Sequence, residues 1–205
     1  MHIKKGYVPT KFGQIHYRFC GNGQPIILLH PTPRSSIVFE NLIHKLSEEY
    51  AVFAPDTFGF GQSDQLPNGF DFYKLAEAFF EFVNYLSLDK VIIFGIHTGN
   101  KICAAIGYKN YRCVESLILC GMSHSLILDK KKRNSQINAI ANKDSNSDSY
   151  GNRWKKTFNL INNSWWTKKI LENKNLSSKD FKLAQNEVLD FINSRKSYDL
   201  IYQEN

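Results

Sequence analysis

The chain has no apolar run near the ~20 residues that a bilayer-crossing helix needs. Its start, Met1-His2-Ile3-Lys4-Lys5-Gly6-Tyr7, carries positive charge with no hydrophobic stretch behind it, so neither a membrane span nor a signal peptide is expected. Cysteine is scarce. Cys20, Cys103, Cys113 and Cys120 form no Cys-x-x-Cys pair and have no partnering histidine spacing. This pattern lacks the usual zinc and disulfide signatures and leaves free thiols in a reducing compartment as the expectation. No RNP, zinc-finger or heptad signature is present, and Gly21-Asn22-Gly23 precedes a strand, so it reads as a turn and not as a dinucleotide loop. No metal-ligand spacing stands out, and no cofactor is expected. Histidine is absent after residue 124: His2, His16, His30, His44, His97 and His124 are all of them.

What is present is a globular balance, 42% hydrophobic and 22% charged, in a chain of 205 residues that suits one domain. The net charge of +7 is unevenly placed. Residues 1–128 carry 11 Lys and Arg against 10 Asp and Glu, whereas residues 129–205 carry 15 against 9. The only dense basic run, Lys130-Lys131-Lys132-Arg133, reads as a solvated face, so no nucleic-acid partner is expected.

Up to about residue 122, short apolar runs alternate with amphipathic stretches, the pattern of an α/β fold with a mostly parallel sheet. Tyr7 to Phe19 predicts a hairpin turning at Lys11-Phe12-Gly13-Gln14. Ile26-Ile27-Leu28-Leu29, Tyr50 to Ala54, Val91-Ile92-Ile93-Phe94 and Val114 to Leu119 predict buried strands, with helices over 39–46, 72–86 and 100–108 between them. After Met122 a helical, Lys/Asn-rich pattern takes over. Residues 142–152 read as a loop, and Ser177 with Asp180 as a capping box opening a helix through Phe181, Ala184, Val188 and Phe191. The expected division is a core over 1–122 and a helical region over 123–205.

The chemistry-bearing segment is Phe94-Gly95-Ile96-His97-Thr98-Gly99-Asn100, placed between a buried strand and a helix. A strand that turns sharply into a helix needs small residues flanking the turn, and Gly95 and Gly99 supply them. The apex residue, His97, is then pushed out above the carboxyl edge of the sheet, and the Thr98 amide lies near the positive end of the following helix. Here the chain resembles the α/β-hydrolase family, whose nucleophile elbow has this geometry. The resemblance extends to His30-Pro31-Thr32-Pro33 after one buried strand and to Asp56-Thr57-Phe58-Gly59-Phe60-Gly61-Gln62-Ser63-Asp64 after the next. Leu88-Asp89-Lys90-Val91 and Val114-Glu115-Ser116-Leu117 also fit, so it covers roughly residues 7–122.

The resemblance implies an oxyanion hole formed by the amides of Thr32 and Thr98, with His30 supporting the oxyanion loop through hydrogen bonds. Pro31 removes an amide where the family has Gly. It also implies a helical cap over 123–205, with Trp154, Trp165 and Trp166 either packing between helices or lining an apolar cleft. Two departures bear on catalysis. His97 stands where the family has Ser, Asp or Cys, and imidazole is nucleophilic near neutral pH without a neighbouring base. Nucleophile, another active-site role such as general base, and no catalytic role all stay open for it. Thr98 offers a hydroxyl, but as the following residue it should point elsewhere. The family's triad also needs an acid and a histidine after later strands. Asp129, Asp190 and Asp199 follow no buried strand, and the late histidine is missing. The leading expectation is a cytoplasmic hydrolase of a small apolar ester, amide or carbon–halogen substrate. The alternatives are a non-catalytic ligand-binding or interaction protein, or an incomplete core whose uncovered sheet edge pairs two chains.

Overall fold

The computed structural model describes residues 2–66, 69–121, 129, 131–132, 135, 178–194, 197 and 201. Strands β1 (Lys4–Thr10) and β2 (Gly13–Cys20) form the expected hairpin, closing at Thr10 opposite Gly13. Then follow β3 (Gln24–Leu29), a 3-10 turn (Ser36–Phe39), α1 (Glu40–Leu46), β4 (Tyr50–Pro55) and α2 (Phe72–Tyr85). Next come β5 (Val91–Ile96), α3 (Thr98–Lys109), β6 (Val114–Cys120) and α4 (Ser178–Asn193). The six strands make one sheet in the order β1-β2-β4-β3-β5-β6. The β1–β2 and β2–β4 pairs are antiparallel, and the β4–β3, β3–β5 and β5–β6 pairs are parallel.

Alternation along β3 and β5 explains how the sheet is covered on both faces. Ile27 and Leu29 share one core with Ile93, Phe79, Phe82 and Ile106, on the side of α2 and α3. Ile26 and Leu28 share the other with Val52, Phe39 and Ile43, on the side of α1. Burying each such aliphatic side chain contributes about 1.5–3 kcal/mol, which fixes the register. The chain leaves β3 toward one face and β5 toward the other. That reversal opens a crevice at the carboxyl ends of these two strands, where open α/β sheets hold their ligands.

Several elements run longer than the apolar runs indicate, and two of them meet at the turn after β5. Strand β5 continues through Gly95 to Ile96 and pairs with β6 as far as Ile96 opposite Cys120. Helix α3 begins at Thr98, two residues before the expected start, so a single residue separates strand from helix. Helix α2 opens on Asp71, whose carboxylate accepts a hydrogen bond from the Lys74 amide at 2.7 Å. All four cysteines are free thiols, and burial pushes that of Cys103 up to about 12. Among the described residues no helix is long and apolar enough to cross a membrane, and no cluster of His, Cys, Asp or Glu is placed to hold a metal. His124, the 142–152 loop, Trp154, Trp165, Trp166, Asp199 and the boundary expected at 122 lie outside the described residues.

Candidate active site

The single residue between β5 and α3 is His97, held at φ 55° and ψ −111°, a backbone conformation that costs about 1–3 kcal/mol for a residue with a Cβ. The turn is possible because of its neighbours. A Cβ on Gly95 would lie 2.6 Å from Cys103 Sγ and 2.6 Å from the Gly99 carbonyl, and one on Gly99 would collide with the Leu29 carbonyl. Helix α3 can therefore approach β3 and β5 only with glycine at both positions. The result leaves His97 exposed while Thr98, Gly99 and Asn100 are buried. The His97 amide donates to the Cys120 carbonyl at 3.2 Å, and its own carbonyl accepts from the Asn100 amide at 3.0 Å.

Asn100 is a residue the sequence did not single out. Its Nδ2 donates to the carbonyls of Cys120 and Gly121 at 2.9 and 2.8 Å, and its Oδ1 accepts from the Cys120 amide at 3.1 Å. This one buried amide bolts the first turn of α3 to the end of β6. No local sequence signal marks it, because its partners are 20 and 21 positions away.

The loop after β3 reaches the same place. His30 is buried, and its Nε2 accepts from the Thr57 amide at 2.9 Å. Since that nitrogen must be an acceptor, the proton sits on Nδ1, which donates to the Pro31 carbonyl at 3.1 Å. Burial pushes the His30 pKa down, against the opposing pull of the Asp56 and Asp190 carboxylates, so this tautomer is neutral. The side chain thus ties the 30–33 segment to the loop after β4. The Thr32 amide, an expected oxyanion donor, is buried and donates to Thr98 Oγ1 at 3.3 Å. The two threonines proposed for one hole are therefore adjacent, and the hydroxyl of one occupies the amide of the other.

The loop after β4 is organised by Asp56, which is buried against His16. Its carboxylate accepts from His16 Nδ1 at 2.7 Å and from the amides of Ser36 at 2.6 Å and Gln62 at 2.9 Å. Burial opposes its ionisation, yet the hydrogen bond from His16 and those from the two amides hold its pKa at about 2. An ionised carboxylate only accepts, so His16 Nδ1 carries the proton. The His16 pairing spans 40 positions and was not anticipated.

A third group comes from α4. Arg34 Nη1 forms an ion pair with Glu187, and Arg34 Nε lies 3.4 Å from Asp190 Oδ2. The same Asp190 oxygen accepts from the Ser35 amide at 3.1 Å. Burial pushes the Asp190 pKa up, against the Ser35 amide and the Arg34 charge. An apolar cavity of about 30 Å³ lies on the α2 side beneath this edge, lined by Ile15, Leu29, Phe79, Ile102 and the 55–58 segment. His97 is not among its lining residues.

The model of a family described as having the alpha/beta hydrolase fold matches residues 24–148. The soluble epoxide hydrolase of Corynebacterium sp. (strain C12) is 36% identical over 114 residues, 56% of this chain and 40% of that protein. Haloalkane dehalogenase 2 of Mycobacterium bovis (strain ATCC BAA-935 / AF2122/97) is 34% identical over 109 residues, 52% of this chain and 38% of that protein. The matched stretch thus spans about two fifths of these curated relatives. Among solved structures, the enol-lactonase from Burkholderia xenovorans LB400 superposes with a TM-score of 0.73 at 13% identity, over 97% of this chain and 72% of that one. The epoxide hydrolase CorEH gives 0.69 at 23% identity, over 99% and 74%. Strand order, the tight turn at His97, the two flanking loops and the family match agree, and the chain belongs to the α/β-hydrolase fold family.

Proposed function

We propose that this chain hydrolyses a small, mostly apolar substrate at His97, the apex of a nucleophile elbow. The observation that carries the reading is the exposed His97 at a strained strand-to-helix turn, with the Thr98 amide next in the chain and the Thr32 amide bonded to Thr98 Oγ1. With an ester, a neutral imidazole nitrogen of His97 attacks the acyl carbon. The carbonyl oxygen becomes an oxyanion facing the Thr98 amide at the start of α3 and the Thr32 amide, once Thr98 Oγ1 releases the latter. The alkoxide then leaves as the alcohol, taking the N–H proton that the acylated ring gives up, and water cleaves the acyl-imidazole to free the acid and restore the N–H of His97. Epoxides and haloalkanes, named in the relatives, join small esters and amides as the substrates to test, with His97 acting on them as a general base for an attacking water, because an alkylated imidazole would not be released by hydrolysis.

A second reading is favoured by one observation. The Thr32 amide is already satisfied by Thr98 Oγ1, which suits a protein that keeps the fold to bind a ligand without turning it over. A screen of purified protein against short-chain nitrophenyl esters, epoxides and haloalkanes separates the two. Hydrolysis is expected from the native chain and a fall to the uncatalysed rate from His97→Ala. Equal turnover by both proteins removes His97 from the chemistry, and ligand-induced thermal stabilisation without turnover selects the binding reading.

A further inference from the structure

The loop that carries the Thr32 amide is held from two sides. On the core side, the Ser36 amide donates to Asp56 and His30 fastens the loop to Thr57. On the other side its holdings come from α4, through Glu187 and Asp190, more than 150 positions away. Arg34 is the hub. Its backbone amide closes a turn onto the Pro31 carbonyl at 2.8 Å, bracing the segment that includes Thr32. Its guanidinium engages both α4 carboxylates, and the next residue, Ser35, gives its amide to the same Asp190 oxygen.

We propose that Arg34 is a positioning residue that couples docking of α4 to the geometry of the 30–36 loop, so that the Thr32 amide is correctly aimed only while α4 is seated. The three side chains are largely dehydrated, at 15%, 13% and 9% exposure. Two acidic groups share one cation there, and removing it takes their common countercharge from a site that already disfavours the ionised Asp190. A bidentate, planar guanidinium meets two carboxylates at once, which the ammonium of lysine does as a point charge only. The segment beyond α4 seats alongside: Ser197 Oγ fills the space a Cβ on Gly59 would need, and Ile201 is fully buried in the core shared with Phe58 and Phe60. Helix α4 thus engages the 30–36 loop, and the residues after it engage the loop after β4.

The part of this inference that concerns Thr32 rests on the proposed hydrolysis; the coupling itself does not. Hydrogen exchange read by mass spectrometry on the full chain tests the coupling in peptides spanning 30–38, 182–194, β3 and β5. Arg34→Met is expected to speed exchange about tenfold or more in 30–38 and 182–194 together, with β3 and β5 unchanged. Asp190→Asn, which keeps an oxygen for the Ser35 amide, should speed 30–38 less than Arg34→Met does. Faster exchange in 182–194 with 30–38 as in the native chain overturns the coupling, as does no change in either. If Arg34→Met speeds β3 and β5 as well, Arg34→Lys is read by the same criteria. On a nitrophenyl ester, Arg34→Met should lower kcat with little change in KM. A native chain without turnover would sink the hydrolysis reading and leave the exchange result to decide the coupling.

Discussion

Among the described residues, Asp56 is a buried carboxylate that the fold holds ionised. Its folded-state pKa of about 2 lies below the 3.8 of an ordinary aspartate, so the folded chain binds the proton less readily than the unfolded one. The stabilisation, roughly 2 kcal/mol, is complete above about pH 5 and is lost as pH falls toward 2. His30 acts in the same direction. Its pKa is depressed, so the unfolded chain takes up protons first as pH drops below about 6.5. Asp190, pushed up by burial, opposes both to a degree. Denaturant midpoints at pH 7 and pH 3 should therefore fall steeply for the native chain and less steeply for Asp56→Asn. Parallel slopes for the two proteins would show that the Asp56 carboxylate does not drive acid unfolding.

At the scale of elements, the strand-to-helix turn is a joint between β5, α3 and β6. Its parts differ in how visible they are from sequence. Strands β3, β4 and β5 were legible as apolar runs that pack on both faces, and the turn because Gly95 and Gly99 flank it at a spacing that close packing demands, whereas β6, expected as a buried strand, is largely exposed. The loop residues His30 and Asp56 were legible from their place after strands, and Thr32 and Thr98 do meet. What was hidden are pairings set by the three-dimensional path: His16 with Asp56, Asn100 with Cys120, Arg34 with Glu187 and Asp190. No periodicity encodes a partner 20 to 156 positions away. Asn100 shows what such a partner is worth. Asn100→Ala removes its bonds to the Gly121 carbonyl and the Cys120 amide, leaves the Cys120 carbonyl with the His97 amide, and should cost about 1–3 kcal/mol, read as a lower denaturant midpoint. An unchanged midpoint would mean that β6 and α3 hold together without it.

For the molecule as a whole, the two edges of the sheet contrast. Strand β1 carries Lys4 and Lys5, both exposed, the kind of charge that blunts edge pairing. Strand β6 ends the sheet among the described residues with Ile118 47% and Leu119 57% exposed and no lysine. This is the edge through which two chains were expected to pair. Light scattering on the native chain should therefore show association that rises with concentration and falls in Leu119→Lys. A monomer at all concentrations would retire that expectation. The structure also redirects attention from net charge to placement. The basic character of the chain is concentrated after residue 128, while the contacts of α4 at the crevice are made by acidic side chains.

Backbone strain and the two flanking glycines leave His97 exposed at the carboxyl edge of the sheet, where the proposed chemistry requires it. Rapid acid quench of the chain with an activated acetyl ester, followed by peptide mass spectrometry, asks whether that imidazole becomes acylated. The account predicts an acetyl group on the peptide containing His97 during turnover, absent from His97→Ala. Turnover with no acyl group on His97, or none lost in the variant, would contradict it.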